Sequence, residues 1–402
     1  MQQLRSIHRM VTVPIVLFTL FLAVTGIIIQ VIDLDVILTH APADNVNVRS
    51  MREAFDGPGA YQVRHTQDYL APSLPAGFDY TAALTRDLPS LRKAAGHTPL
   101  SFVEFRMEGG HPAAVAGMGA GHVAVDAASG IVTAHTAKDI VESQSPESDR
   151  NTWKHLHRMT TFGNGALIIN VLVSLGLVIL IVTGLWIYVK LARQRRRIGK
   201  SIVYWSAGGT WRSLHRVISL VAALWLVVVT LSGAWLAVES LGLAVTMMTH
   251  APGKGRMAPP APTPVADQEL PAMLRATLAA ATRDAPGEAI TVLRLRHYGP
   301  YAQGVVVTAG EEQSRQLVYN TATGEGMSET EAGYPPVPFP FGWQAHQIAK
   351  SIHRGDWFGM TGRWADLLAG LAMAYLSVSG MVMYWIMWRK RATGGRRALF
   401  WK

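Results

Sequence analysis

Four apolar runs decide what this 402-residue chain can fold into: Val11 to Ile32, Ala166 to Val189, Val217 to Val238 and Leu367 to Met387. Each holds about 20 or more residues with almost no charge, enough for a helix to cross a hydrocarbon core about 30 Å thick. The expected fold is therefore an α-helical membrane bundle of four transmembrane helices. About half the residues are hydrophobic (49%), yet the formal net charge is +10, a combination foreign to an average soluble enzyme.

The charge is not spread evenly. Arg5 and Arg9 precede the first run, seven Lys and Arg run from Lys190 to Arg212, and six from Arg389 to Lys402. These three segments contain no Asp or Glu, so their fifteen positive charges leave the rest of the chain at −5. The positive-inside rule places both termini and the short central loop in the cytoplasm and the two long loops outside. Charge clustered beside apolar runs faces lipid headgroups, which makes the bilayer the partner and excludes nucleic acid. The first run is too long for a signal-peptide core, and no small-x-small site precedes Asp33-Leu34-Asp35, so it reads as a retained helix. The chain has no cysteine, which excludes disulfides, thiolate metal sites and covalent haem attachment.

A tripeptide Leu/Ile-His-Arg marks the mouth of each run: Ile7-His8-Arg9, Leu156-His157-Arg158, Leu214-His215-Arg216 and Ile352-His353-Arg354. A histidine at a membrane boundary costs free energy unless it is paired, and four in matching positions read as two sites with two ligands each. Neutral imidazoles suit iron, and two of them leave no open position, so the reading is two bis-histidine haem b groups that carry electrons without binding oxygen. His8 and His215, nearest the cytoplasmic face, form one pair. For the outer pair His157 and His353 are favoured. His40 and His250 are a second symmetric pair that could replace them, and a mixed pair such as His40 with His157 stays open. His155 lies about 200° round a helix from His157, so both cannot face one iron. His155 is matched by Ser351 and His346 by Arg150; both histidines remain substitutes with more individual roles. Arg9, Arg216, Arg158 and Arg354 could neutralise haem propionates or anchor helices at the headgroups.

The two halves of the chain repeat each other. His8 to Gly26 and His215 to Gly233 are both 18 residues, and His157 to Gly184 and His353 to Gly380 are both 27. Thr39-His40-Ala41-Pro42 returns as Thr249-His250-Ala251-Pro252. Each half therefore reads as helix, outside domain, helix, related by an axis along the membrane normal. The expected order is transmembrane helices at 1–38, 151–190, 212–245 and 346–389, outside domains at 39–150 and 246–345, a basic loop at 191–211 and a basic tail at 390–402. Leu100 to Met107, His122 to Gly130, Ile290 to His297, Gly304 to Thr308 and Leu317 to Gly324 alternate as strands, preceded by helical stretches at Tyr80 to Ala95 and Asp267 to Arg283. Pro259 to Pro264 reads as a linker. Gly117 to Gly121 reads as a hairpin loop rather than a phosphate site.

Strand, Asp/Asn, two residues, Ser/Thr-Gly, strand, in a loop between membrane helices, resembles the PepSY module. With the His-Arg tripeptides and the pairs Thr25-Gly26, Thr183-Gly184, Ser232-Gly233 and Ser379-Gly380, the whole chain resembles the PepSY-associated transmembrane family. The resemblance implies two extracytoplasmic α+β PepSY-like domains on the bundle and a bacterial inner membrane, with the long loops periplasmic. It also implies reduction of a ferric siderophore or other ferric chelate, with electrons from a cytoplasmic or quinol donor. The other reading is a non-enzymatic sensor or anchor whose outside domains bind a peptide, protease or iron complex. One length counts against the simplest arrangement. A continuous helix from His157 to Val189 would span about 48 Å and put the two irons about 40 Å apart. Either Gly163-Asn164-Gly165 breaks the helix, or a further carrier, for which Trp186, Trp225 and Trp235 are in the span, intervenes.

Overall fold

A computed structural model describes residues 2–41, 45–48, 50–51, 72–118, 121–136, 148–205, 209–249, 263–309, 314–327 and 341–399. Most of the linker at 259–264, and Gly119 and Ala120 of the glycine-rich loop, fall outside the described residues. The chain divides into two compact units, residues 1–35, 149–255 and 338–402, and residues 36–148 and 256–337.

The first unit is helical. Four helices are long and apolar enough to cross a membrane: α1 (Gln2–Leu38), α4 (Asn164–Arg197), α6 (Ala223–Thr249) and α9 (Gly359–Ala392). Three shorter helices lead into them, α3 (Asp149–His157), α5 (Thr210–Val221) and α8 (Trp343–His353). Large apolar side chains point outward, among them Val221 at 79% and Leu224 at 77% exposure. In water that surface would be unfavourable; in lipid it meets its own kind. Inside, glycines bring backbones close: a Cβ on Gly176 would meet Ile15 of α1 at 2.7 Å, and one on Gly370 would meet Ile27 at 2.9 Å. One end of the bundle carries the basic segments and is called the basic end below; the other, where residues 36–148 and 256–337 leave, is the loop end.

The chain does not run straight from α3 into α4. Met159 takes a left-handed φ of 59°, Thr160–Phe162 forms a 3-10 turn, and Gly163 closes it at φ 80°. The same break separates α8 from α9, with Gly355 at φ 76°, a 3-10 turn over Asp356–Phe358 and Gly359 at φ 60°. Each turn is pinned by its phenylalanine, Phe162 edge-on to Phe21 and Phe358 edge-on to Trp225. The break at Gly163 is the first of the two ways out of the 40 Å difficulty.

The second unit is an antiparallel sheet with two helices. Its strands are β1 (Leu100–Glu108), β2 (His111–Met118), β3 (Gly121–Asp126), β4 (Val132–Thr136), β5 (Ala289–Tyr298), β6 (Tyr301–Ala309), β7 (Ser314–Asn320) and β8 (Glu325–Gly326). The order is β4-β3-β2-β1-β5-β6-β7-β8, two four-strand meanders joined through β1 and β5. The modules expected from the two loops thus share one sheet. At the seam Glu104 faces Arg294 in register and pairs with it, and Arg106 adds a second contact to Glu104 at 3.2 Å. Helices α2 (Tyr80–Ala95) and α7 (Leu270–Asp284) bury Leu84, Leu91 and Leu274 on Val103, Phe105, Leu293 and Leu295. Each buried leucine of this kind contributes about 1.5–3 kcal/mol. The two turns that carried the PepSY resemblance are alike: Asp126 accepts from the amides of Ala128 and Ser129, Asn320 from the amide of Ala322, and Gly130 and Gly324 follow at φ 71° and 72°. The Ser129 hydroxyl also donates to Asp126 and holds its carboxyl below the usual range.

Candidate functional site

The break after α3 lets His157 fold back onto α1. Its Nδ1 lies 2.9 Å from the Thr25 hydroxyl, and its ring lies over Gly26, where a Cβ would come within 3.3 Å of Cε1. The second half repeats the contact. His353 has Nδ1 3.3 Å from the Ser232 hydroxyl and 3.1 Å from the Val229 carbonyl, and a Cβ on Gly233 would meet its ring at 2.9 Å. The two imidazoles face each other with ring centroids 6.2 Å apart, tilted by 37°.

At the basic end the roles of the helices are exchanged. His8 of α1 places Nδ1 2.9 Å from the Thr183 hydroxyl of α4, beside Gly184. His215 of α5 places Nδ1 2.8 Å from the Ser379 hydroxyl of α9, beside Gly380. His8 lies within electrostatic range of His215. So in each half the histidine of one helix rests on the Thr/Ser-Gly pair of the other, once at each end.

The hydroxyls determine which nitrogen is free. Thr25 donates its hydrogen to the Phe21 carbonyl, Thr183 to Ile179, Ser232 to Val228 and Ser379 to Leu376. With that hydrogen used, each oxygen can only accept, so Nδ1 must carry the imidazole proton. Nε2 is left with its lone pair, the form in which histidine ligates a metal, with the Nδ1–H bond fixing ring orientation and raising basicity. Two imidazoles sharing one metal through Nε2 at about 2.0 Å, with ring centres about 1.1 Å behind, need centroids about 6 Å apart. His157 and His353 meet that spacing. The glycine beside each ring is the cradle that a side chain would fill. Among the described residues no group of three or more His, Asp or Glu could hold a metal. The arrangement suits a group that brings its own equatorial ligands.

The other candidates are placed elsewhere. His155 is exposed and bonds Thr160 at 3.0 Å. His40 is exposed, at a left-handed φ of 47°, in the turn after α1; His250 lies outside the described residues. His346 bonds Glu239 through Nδ1 at 2.9 Å. Of the four arginines, Arg216 stacks on Trp205 at 4.1 Å and donates to its carbonyl at 2.7 Å. Arg9 lies within electrostatic range of Arg391 and Tyr384. Arg158 reaches the Ser240 hydroxyl at 3.5 Å. Arg354 is drawn into an ion cluster. The tryptophans of the span have packing partners: Trp225 meets Phe358, Trp235 meets Phe341 at 4.6 Å, and Trp186 lies under Lys190.

That ion cluster escaped the sequence reading. Asp33, fully buried, accepts two bonds from Arg150 at 2.5 and 3.1 Å, one from Arg363 at 2.9 Å and one from Arg354 at 3.5 Å. Arg363 also pairs with Asp356. In the second half the residue that matches Arg150 is His346, and it pairs with Glu239, one residue before Ser240, the match of Asp33. The signal was available in the repeat: Arg150 and His346 both lie seven residues before a candidate ligand, and an acid ends each partner run at Asp33 and Glu239.

Comparison with known families gives one match: the model of the PepSY-associated TM region covers residues 61–386. No curated protein matches the chain.

Proposed function

The chain belongs to the PepSY-associated TM region family, and on that premise we propose that it is a di-haem b oxidoreductase of a bacterial inner membrane. It passes electrons from a cytoplasmic or quinol donor to a periplasmic ferric chelate, foremost a ferric siderophore. The observation that carries the reading is one contact made four times, imidazole on hydroxyl beside glycine, in two pairs at opposite ends of an apolar bundle.

His157 with His353, and His8 with His215, would hold the two haems through their imidazole nitrogens. A haem so held contributes reversible one-electron chemistry and has no position left for oxygen. Thr25, Ser232, Thr183 and Ser379 hold each ring and keep its proton on Nδ1. Gly26, Gly233, Gly184 and Gly380 let the rings lie against helix backbone. Thr25 is 17 residues from His8 along α1, an axial separation of about 26 Å. That is some 14 Å less than a continuous second helix would impose. The fifteen positive charges orient the basic end toward the cytoplasm, which leaves the His157–His353 pair toward the ferric substrate.

The test is a dithionite-reduced minus oxidised spectrum of the purified chain with a pyridine haemochrome count. Two low-spin b-type haems per chain are expected, with one lost in His215→Ala and the other in His353→Ala. The reduced protein should be reoxidised by a ferric trihydroxamate under anaerobic conditions. A chain that takes up no haem in haem-replete expression would instead be a PepSY-bearing sensor or anchor.

A further inference from the structure

His346 and Glu239 take no part in the arrangement above, yet both are tied to it. His346 lies seven residues before His353 on α8, and Glu239 seven residues after Ser232 on α6. Each is therefore about 10 Å, two helical turns, from the place where His353 meets the Ser232 hydroxyl. Glu239 is fully buried; Oε2 meets His346, and Oε1 has no hydrogen-bond partner among the described residues. The His346 side chain is 14% exposed, so it is the member of the pair that water can reach. Among the described residues, Lys350 on the same helix and Arg158 also lie within electrostatic range of it.

The equivalent position in the first half is occupied by Arg150 on Asp33. A guanidinium keeps its charge at every accessible pH, whereas an imidazole gains or loses it near neutrality. The two halves of the pseudo-symmetric bundle thus differ at this position: a guanidinium with a permanent charge stands in one and a titratable imidazole in the other. Resting on the di-haem reading, we propose that His346 with Glu239 is a proton-binding site for the His157–His353 pair. His346 takes up a fraction of a proton from the loop-end water, at most about half of one for a tenfold change in affinity, when an electron settles at that pair. The same fraction returns to the same face when the electron leaves for the ferric acceptor. Part of the added negative charge is thereby neutralised, with no net proton transfer across the membrane.

The sign follows from the surroundings. Burial holds the His346 imidazole below its ordinary range, with Glu239 pulling against it. An added negative charge at about 10 Å raises its proton affinity on the order of tenfold at the effective dielectric of a protein. The midpoint potential of the loop-end haem should therefore fall as pH rises through the imidazole range. Its total drop should be about 59 mV, a tenfold change for one electron.

The experiment is a potentiometric titration of the purified holoprotein between pH 5 and 9, with the haemochrome count taken on each sample. His346→Arg should give a flat profile at the wild-type low-pH plateau, and His346→Gln a flat profile at the high-pH plateau. The potential of the His8–His215 haem should be unmoved in both. Two haems per chain with the same pH profile in wild type and His346→Gln would overturn the inference. Fewer than two haems in wild type would instead overturn the reading it rests on. Should His346→Arg fail to fold, His346→Gln alone decides.

Discussion

The two halves of the bundle agree at the histidines and part company just above them. His157 and His353 rest on Thr25-Gly26 and Ser232-Gly233 in the same way. Seven residues upstream, one half carries Arg150 against Asp33 and the other His346 against Glu239. The first is a buried acid shared by three guanidiniums, two of which also pair with Asp356. The second is a single acid with a single titratable base. The two halves share the contact that holds each imidazole and differ in the charge beside it. Positioning tolerates little variation because an imidazole must aim one nitrogen, whereas a field at about 10 Å can be set by several residue types.

The largest effect should come from breaking the shared acid. Asp33→Asn takes the buried carboxylate away from Arg150, while Arg354 and Arg363 keep Asp356, and loss of one member of such a cluster costs about 3–5 kcal/mol. Glu239→Gln removes one partner of a simpler pair and should cost about 1–3 kcal/mol. Thermal unfolding of the two variants in detergent would check the order, and equal losses would mean that the clusters do the same job.

A second comparison is between hydroxyls. His353 has the Val229 carbonyl as well as Ser232, while Ser379 is the hydrogen-bond acceptor for His215 among the described residues. Ser379→Ala should therefore weaken haem retention at the basic end by about 10–100-fold, within the usual range for lost outer-shell partners. Ser232→Ala should do less at the loop end. Haem transfer to apomyoglobin, followed for each site by its spectrum, measures both.

The smallest and sharpest contrast is steric. A methyl on Gly233 would meet the His353 ring at 2.9 Å, one on Gly26 the His157 ring at 3.3 Å, and one on Gly380 the His215 ring at 4.0 Å. Gly233→Ala should shift the loop-end spectrum and potential, Gly26→Ala should do so less, and Gly380→Ala should leave the basic-end haem unchanged. Low-temperature difference spectra would register the order. A shift in Gly380→Ala as large as in Gly233→Ala would contradict the cradle geometry.

Much of this site was legible before any coordinates. Hydropathy isolates the four spans because an unpaired backbone has no place in lipid. The spacing of 18 and 27 residues from each histidine to a glycine already singled out residues that the structure brings into contact. What the spacing could not say is that the contact is reciprocal: His8 reaches Thr183 rather than its own Gly26, and His157 reaches Thr25 rather than its own Gly184. That exchange depends on antiparallel packing of α1 with α4. The ion cluster was hidden for a related reason, since Asp33, Arg150 and Arg363 are separated by 117 and 213 residues and meet only when three helices do.

The sequence by itself determined that the chain has four segments long and apolar enough to cross a membrane, that tripeptides and spacings recur along it, and that histidine is the group available at each mouth. These follow from length, polarity and period, which are local and additive along a chain. Tertiary structure alone decided which hydroxyl each histidine meets, which ring nitrogen that contact occupies, and that the two loops build one sheet. Those outcomes depend on a left-handed residue or a glycine turning a helix aside at Met159, Gly163, Gly355 and Gly359. They depend equally on a hydroxyl having already spent its hydrogen on the helix below it. Such conditions are set by what lies across the packed interface, and no pattern read along one strand of sequence contains them.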